Sequence, residues 1–309
     1  MAEHYLDDSI MHAFWDNSHP ARIEIDPGDT VVFECRDALD GQLNPESTAE
    51  DMTAVDFSRI HALTGPVFIK GAQPGDVLEV EIIKLEHKSW GFNGFLPGFG
   101  LLSDDFNYGF IQHWRMENGH CYFQDGDQVE VPFEPFCGVM GVAPEEPGRL
   151  DTVPPRFNGG NIDIRGLVMG ATLYQPIQVD GALFSLGDCH SAQGDGEVCG
   201  MGIESPMTVT VKFGLRKDLS MKELQFTTPS PLTKADSKGY YCTTAHGDDL
   251  FVNSKNAVRY MIDWLEANHN LSRSQAYCLC GSAADLKISE IVDLPNWIVS
   301  CYMPLSVLK

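Results

Sequence analysis

Basic residues are scarce in this chain. Its 309 positions hold 21 Lys and Arg against 44 Asp and Glu, a formal charge of −23 at pH 7. Such a field repels phosphate backbones and anionic headgroups, so neither nucleic acid nor a membrane surface is expected as a partner. A small neutral molecule is unaffected by it. Long apolar runs are missing as well, and none approaches the roughly 18 residues that cross a bilayer. The opening Met1-Ala2-Glu3-His4-Tyr5-Leu6-Asp7-Asp8 has neither the basic nor the apolar stretch of a secretory leader. The nine cysteines stand singly apart from Cys278-Leu279-Cys280. Without CxxC pairs there is no disulfide framework and no four-cysteine zinc centre to expect, and a reducing cytoplasm is the expected compartment. Repeats of roughly 20–50 residues are absent too, which excludes a solenoid.

What is present reads as β structure first and helix late. The turn Asp26-Pro27-Gly28-Asp29 leads into Thr30-Val31-Val32-Phe33-Glu34-Cys35. The turn Gln73-Pro74-Gly75-Asp76 leads into Val77-Leu78-Glu79-Val80-Glu81-Ile82, where apolar and acidic residues alternate as in a half-buried strand. Met207-Thr208-Val209-Thr210-Val211-Lys212-Phe213 alternates more cleanly still. Aromatics and glycines crowd residues 86–150, as core or as pocket wall. Ser254 can cap a helix marked by Ala257, Met261, Trp264, Leu265 and Asn268, and Ser272-Arg273-Ser274-Gln275 can open a second helix running to about Cys280. Asp285-Leu286-Lys287-Ile288 and Ile298-Val299-Ser300-Cys301-Tyr302 look like strands. The expected organisation is one domain over 1–309, β-rich across about 20–215 with an α/β tail across about 240–309.

The familiar hydrolase signatures HExxH and GxSxG are missing, and Gly194-Asp195-Gly196 lacks the Lys-Ser/Thr of a phosphate loop. The densest polar cluster is Gly187-Asp188-Cys189-His190-Ser191-Ala192-Gln193-Gly194-Asp195-Gly196-Glu197, followed by Gly202-Ile203-Glu204. Asp188 and His190 are two apart and share a strand face, and the glycines let Glu204 fold back on them. An acid, an imidazole and an acid suit a catalytic zinc with an open position. Solvated turns and calcium loops are built from similar stretches, although calcium takes six to eight oxygens and seldom a histidine. Cys189 beside His190 is a rival nucleophile, but neighbours on a strand diverge, which favours a buried structural thiol.

This cluster resembles the signature of the acetamidase/formamidase family, a Gly-Asp-x-His-x-x-x-Gly-Asp-Gly-Glu core with a following Ile-Glu. The resemblance extends from about residue 20 to the C-terminus. It runs through His61-Ala62-Leu63-Thr64-Gly65-Pro66-Val67, Gly75-Asp76-Val77-Leu78 and Gly138-Val139-Met140-Gly141-Val142-Ala143-Pro144. Gly159-Gly160-Asn161-Ile162-Asp163, Ser282-Ala283-Ala284-Asp285-Leu286-Lys287-Ile288 and Val292-Asp293-Leu294-Pro295-Asn296 follow in order. Ser191 stands where Ala is usual, Ile162 where Met is usual, and Cys137 just before the Gly-x-Met-Gly motif. Phe136, Cys137 and Ile162 are therefore expected to resize the pocket.

The resemblance implies a mainly β fold, a β-sandwich with a C-terminal α/β portion, in a homodimer or higher homo-oligomer. It implies hydrolysis of a small neutral aliphatic amide, formamide or acetamide, to carboxylate and ammonia by a metal-activated water. Asp188, His190 and Glu204 match the metal-binding set, with zinc expected and calcium as the alternative. Glu197, Asp163 and His61 are the expected catalytic groups, Glu197 as base. Asn161 and Gln193 are expected at the substrate, and Asn161 or His61 can serve the oxyanion. Turn-capping for Asn161 and a hydrogen-bonded core role for His61 stay open. A Cys189-dependent amidase and a non-catalytic amide-binding protein with a structural ion are the competing readings.

Overall fold

The computed structural model describes residues 1–100, 107–124, 130–193, 197, 199–229, 238–269, 284–305 and 308. Two sheets packed face to face form its body. The larger has nine strands in the order Glu3–Leu6, Thr30–Cys35, Met207–Arg216, Val77–His87, Thr172–Pro176, Gln225–Thr228, Tyr240–Gly247, Trp297–Pro304 and Asp285–Glu290. Only the outermost pair, Glu3–Leu6 with Thr30–Cys35, is parallel. The second sheet runs Gly159–Asn161, Phe136–Gly141, Phe184–His190, Leu63–Ile69 and Met11–His12, with Ile23–Ile25 parallel to Leu63–Ile69.

Period-two burial makes these strands. In Thr30–Cys35, Val31, Phe33 and Cys35 are buried and their neighbours half-buried, and Met207–Arg216 begins with the same alternation. Phe33, Val80, Val209 and Phe213 of the larger sheet meet Val67, Met140, Phe184 and Leu186 of the smaller one in a single apolar cluster. Full burial of each such side chain stabilises the fold by roughly 1.5–3 kcal/mol, so the interface between sheets dominates the energetics.

Each strand expected from the pattern lies within an observed one, and the chain is mainly β. Strands begin earlier than expected, at Glu3. The tail is continuous with the β body: Tyr240–Gly247, Trp297–Pro304 and Asp285–Glu290 extend the nine-stranded sheet. A third sheet, Glu130–Pro132, His120–Phe123, Phe110–Glu117 and Trp90–Phe95, carries many of the crowded aromatics.

The long helix, Leu250–His269, starts four residues before Ser254. Asp249 caps it, its Oδ1 accepting from the backbone N–H groups of Phe251 and Val252 at 2.8 and 3.1 Å. Ser254 lies inside the helix and donates back to the Leu250 carbonyl. Ala257, Met261, Ile262 and Leu265 pack on Tyr241, Val299 and Met303 of the sheet, whereas Asn268 is exposed. Short helical turns also occur early, at Ala49–Thr53 and Phe57–Arg59. The helix expected from Ser272 lies outside the described residues. No described helix is long and apolar enough to cross a membrane.

Candidate active site

Strand Phe184–His190 begins in the core and ends in the site. Cys137 pairs with Cys189 and Met140 with Leu186, and all four face the inter-sheet core. Regular alternation would not put residues three apart on one face. The inversion falls at Asp188, whose φ of 52° is left-handed, opposite Gly138. It sends Cys189 into the core and releases Asp188 and His190 to the other side. Gly138 is required here, since a Cβ would come 2.5 Å from both Asp188 Oδ2 and Asp163 Oδ1. Gly202 is constrained in the same way by His190, whose Nδ1 would lie 2.4 Å from a Cβ. Asp163 and Glu197 also take left-handed φ, of 43° and 46°, the kind of local strain that collects at functional sites.

Glu204 arrives by a bridge. Its backbone pairs with His190 on one side and Phe92 on the other, tying the third sheet to the second. His190 Nε2 then lies 3.3 Å from Asp188 Oδ1, 3.2 Å from Glu204 Oε1 and 3.9 Å from Asp163 Oδ1. Its Nδ1 is 2.8 Å from Gln193 Oε1, while Gln193 Nε2 donates to the Asp163 carbonyl. Because that amide oxygen can only accept, Nδ1 carries a hydrogen and Nε2 is the nitrogen turned to the acids, donating to them when the ring is protonated and offering a lone pair when it is neutral. Phe136 packs edge-on against the ring, 5.1 Å between centroids.

His61 repeats the arrangement. Thr152 Oγ1 donates to the Ile60 carbonyl and accepts from the His61 backbone N–H at 2.7 Å. The His61 Nδ1 contact of 3.1 Å to the same oxygen is thereby a donated bond, which leaves Nε2 as a lone pair 3.9 Å from Asp188 Oδ2. Asn161 Nδ2 donates to Asp293 Oδ2, and Asn161 Oδ1 has no partner. Asp293 in turn is held by Glu290, which accepts from its backbone N–H at 2.6 Å.

Electrostatics follow from burying so many acids together. Burial pushes the carboxyls of Asp163, Glu197 and Asp293 well above the ordinary range, with neighbouring acids adding to it. Burial likewise pushes Glu204 and Glu290 up to about 7. It also works against the charge on Asp188, but His61 and His190 outweigh it and hold that carboxyl below the usual range. For His190, burial is outweighed by Glu204 and Asp188, which hold its proton well above the ordinary histidine value. Burial keeps His61 neutral.

Two ligand sets converge on His190: Asp188 with Glu204, and Asp163 with Glu197, each with its ligand atoms within 4.8 Å of one another. Both Asp163 oxygens and Glu204 Oε2 are buried without hydrogen-bond partners. Buried carboxylate oxygens left without partners are costly as they stand. The same donors fit a divalent cation, and any proton they hold is one that a cation would displace.

A cavity of about 260 Å³ opens over this floor, lined by His61, Asn161, Asp163, Asp188, Glu197, Glu204 and Asp293 and walled by apolar side chains such as Leu39, Val55, Leu96 and Met201. Seven of the eight residues singled out in the sequence thus line it or supply the metal-compatible sets. Gln193, expected at the substrate, commits its amide to His190 and Asp163. Phe136, Cys137 and Ile162 do not line the cavity. Phe136 packs behind His190, and the other two belong to the inter-sheet core, out of reach of a ligand. Cys189 lies 3.8 Å from the Cys137 sulfur, and hydrogen bonds with Cys137 and Cys35, together with burial, hold its thiol well above the ordinary value. A thiol so placed faces the core and resists forming the thiolate that a nucleophile needs. Ser191 hydrogen-bonds Ser205 at 2.8 Å. Gly194-Asp195-Gly196 lies outside the described residues. Missed in the sequence were Asp293, Glu290 and Thr152, along with the apolar wall.

Comparison with known proteins places this geometry in context. A family model described as the acetamidase/formamidase family matches residues 2–149 and 147–309. Formamidase of Methylophilus methylotrophus is 30% identical across 98% of this chain and 90% of its own length. Acetamidase of Mycolicibacterium smegmatis is 28% identical over 61% of this chain and 62% of its own. The crystal structure of an acetamidase from Bacillus halodurans superposes with a TM-score of 0.89 at 30% identity, covering 98% of each chain.

Proposed function

The chain belongs to the acetamidase/formamidase family, and from that premise we propose that it hydrolyses the C–N bond of small neutral amides, formamide and acetamide among them, to acid and ammonia in a metal-dependent reaction. One observation carries the metal dependence: the buried carboxylates of Asp163, Asp188, Glu197 and Glu204 gather their oxygens around His190, and both Asp163 oxygens and Glu204 Oε2 have no hydrogen-bond partner. Asp188, His190 and Glu204 would hold the ion, zinc by its tolerance of mixed oxygen and nitrogen ligands, and it would supply Lewis acidity toward the amide carbonyl and toward water.

The protein's own groups do the rest. Asn161 Oδ1, buried and unpartnered, accepts from the amide N–H₂ and orients the substrate. Asn161 Nδ2 uses one of its two hydrogens on Asp293, which leaves the second to serve the oxyanion. Glu197 is the base: it takes a proton from the attacking water as the C–O bond forms and delivers it to nitrogen as the C–N bond breaks. Burial raises its pKa, which makes the carboxylate a stronger base once it has lost its proton. Gln193 and Thr152 fix the ring orientation of His190 and His61. The chain acts as one unit over 1–309, since this floor draws on residues from His61 to Asp293. We place it in the cytoplasm, where its close thiols Cys137 and Cys189 stay reduced.

The test couples metal analysis of purified protein to an ammonia assay on formamide and acetamide. Stoichiometric metal, loss of activity with a chelator, and loss of both metal and activity in His190→Ala are expected, with Cys189→Ala remaining active. An active metal-free enzyme, or inactivation by Cys189→Ala alone, would overturn the mechanism.

A further inference from the structure

The cavity is larger than formamide needs. Its volume of about 260 Å³ compares with a share of roughly 30 Å³ for one liquid water and falls just short of the roughly 300 Å³ at which pockets for drug-sized ligands begin. Formamide on the floor would leave most of that space to water. The space is also chemically divided. Charged and polar groups gather around His190, and a separate part of the lining is hydrocarbon: Leu39, Val55, Leu96, Phe99 and Met201.

That wall is a built surface. All five residues belong to one apolar cluster organised around the fully buried Met52 and Phe92, so the cavity is cut into the side of a small core. Leu39, Val55 and Leu96 are themselves no more than 9% exposed, which fixes their positions. Water confined against such a wall forfeits hydrogen bonds and is readily displaced by an apolar group.

Resting on the amide-hydrolase reading above, we infer that the preferred substrates are neutral primary amides with a hydrocarbon acyl group of about four to seven carbons, a size set by the cavity. The carboxamide sits at Asn161 and the acidic floor, and the acyl chain lies along Leu96, Val55 and Met201. Each methylene laid against the wall is worth roughly fourfold in kcat/KM, so acetamide and formamide are turned over as poor members of the series.

Ammonia release is measured across acetamide, butyramide, isobutyramide and benzamide with the metal-loaded enzyme. Butyramide should exceed acetamide by about tenfold or more, from two added methylenes, and benzamide should also exceed it. Leu96→Phe fills the wall and should cut butyramide and benzamide about tenfold more than acetamide. Met201→Phe, at a less buried position, gives the same readout should the Leu96 variant not fold. A flat or falling series with acetamide still hydrolysed overturns the inference and leaves amide hydrolysis standing. No ammonia from any of the four overturns both.

Discussion

Individual residues in this site are defined by what their other atoms are already doing. His190 and His61 each donate Nδ1–H to an oxygen, so both turn Nε2 toward the acids. Glu197, deeply buried, lies 3.9 Å from His190 Nδ1 and outside the Asp188–Glu204 ligand set. Glu197→Gln should therefore retain metal while kcat falls by about 10²-fold or more, the usual weight of a general base. Metal analysis with steady-state kinetics checks this, and a variant with wild-type kcat would shift proton transfer to Asp163. Titration makes a second prediction. Glu204 and Glu290 titrate in the folded protein at about 7, against roughly 4.3 unfolded. Across that window the folded state binds more protons, so stability falls as pH rises. His190 has the same sign, its stabilisation being present at low pH and lost as pH rises through its elevated folded pKa. Asp188, held below the usual range, is already ionised throughout the window. Metal-stripped protein should thus lose Tm between pH 5 and 8, and added divalent metal should raise Tm more at pH 8 than at pH 5. A larger metal-induced shift at pH 5 would contradict the site.

Elements were legible in the sequence wherever burial follows a simple period. Thr30–Cys35, Val77–His87 and Met207–Arg216 alternate because one face meets the opposing sheet, and that alternation is written in their residues. The shared face of Asp188 and His190 was legible too, although the inversion that turns it away from the core was not, since it depends on a single left-handed φ at Asp188 paired with Gly138. Helix boundaries failed for a local reason. Ser254 has a capping side chain, but Asp249 lies ahead of Leu250-Phe251-Val252, whose apolar residues obscure the start. Phe251 and Val252 prove to be exposed rather than core. Asp249→Ala should cost about 1 kcal/mol of stability, the typical worth of a helix cap, while Ser254→Ala, which loses only a bond back to Leu250, should cost less. Urea denaturation of the two variants checks the order, and equal kcat/KM is expected because no residue of the helix lines the cavity. A larger loss from Ser254→Ala would restore the later helix start.

At the scale of the whole molecule, sequence order conceals what the fold assembles. The acidic floor announced itself because Asp188, His190, Glu197 and Glu204 are neighbours along the chain. The wall did not, because Leu39, Val55, Leu96 and Met201 come from separate connections, and apolar residues so scattered look like ordinary core. Asp293 reached the floor from the far end of the chain, in a segment that the family resemblance marked without giving it a role. Net charge belongs to this scale as well. A charge of −23 disfavours anions everywhere around the protein, yet salt screens that field beyond about 8 Å at physiological ionic strength. Inside the cavity, screening is weak, and burial and neighbouring acids already work against negative charge at Asp163, Glu197 and Asp293. A further carboxylate entering there would be desolvated beside groups that resist negative charge, so discrimination should be local and nearly independent of salt. Succinamate, which replaces the terminal methyl of butyramide with a carboxylate, isolates the effect. Its kcat/KM should fall below that of butyramide by at least about 10²-fold, equivalent to roughly 2.7 kcal/mol. Raising salt from about 0.05 to 0.5 M, which shortens the screening length severalfold, should change the ratio by less than about threefold. A ratio that collapses with salt would assign the selectivity to the long-range field, and succinamate hydrolysed as well as butyramide would show that the acidic floor does not select for neutral substrates.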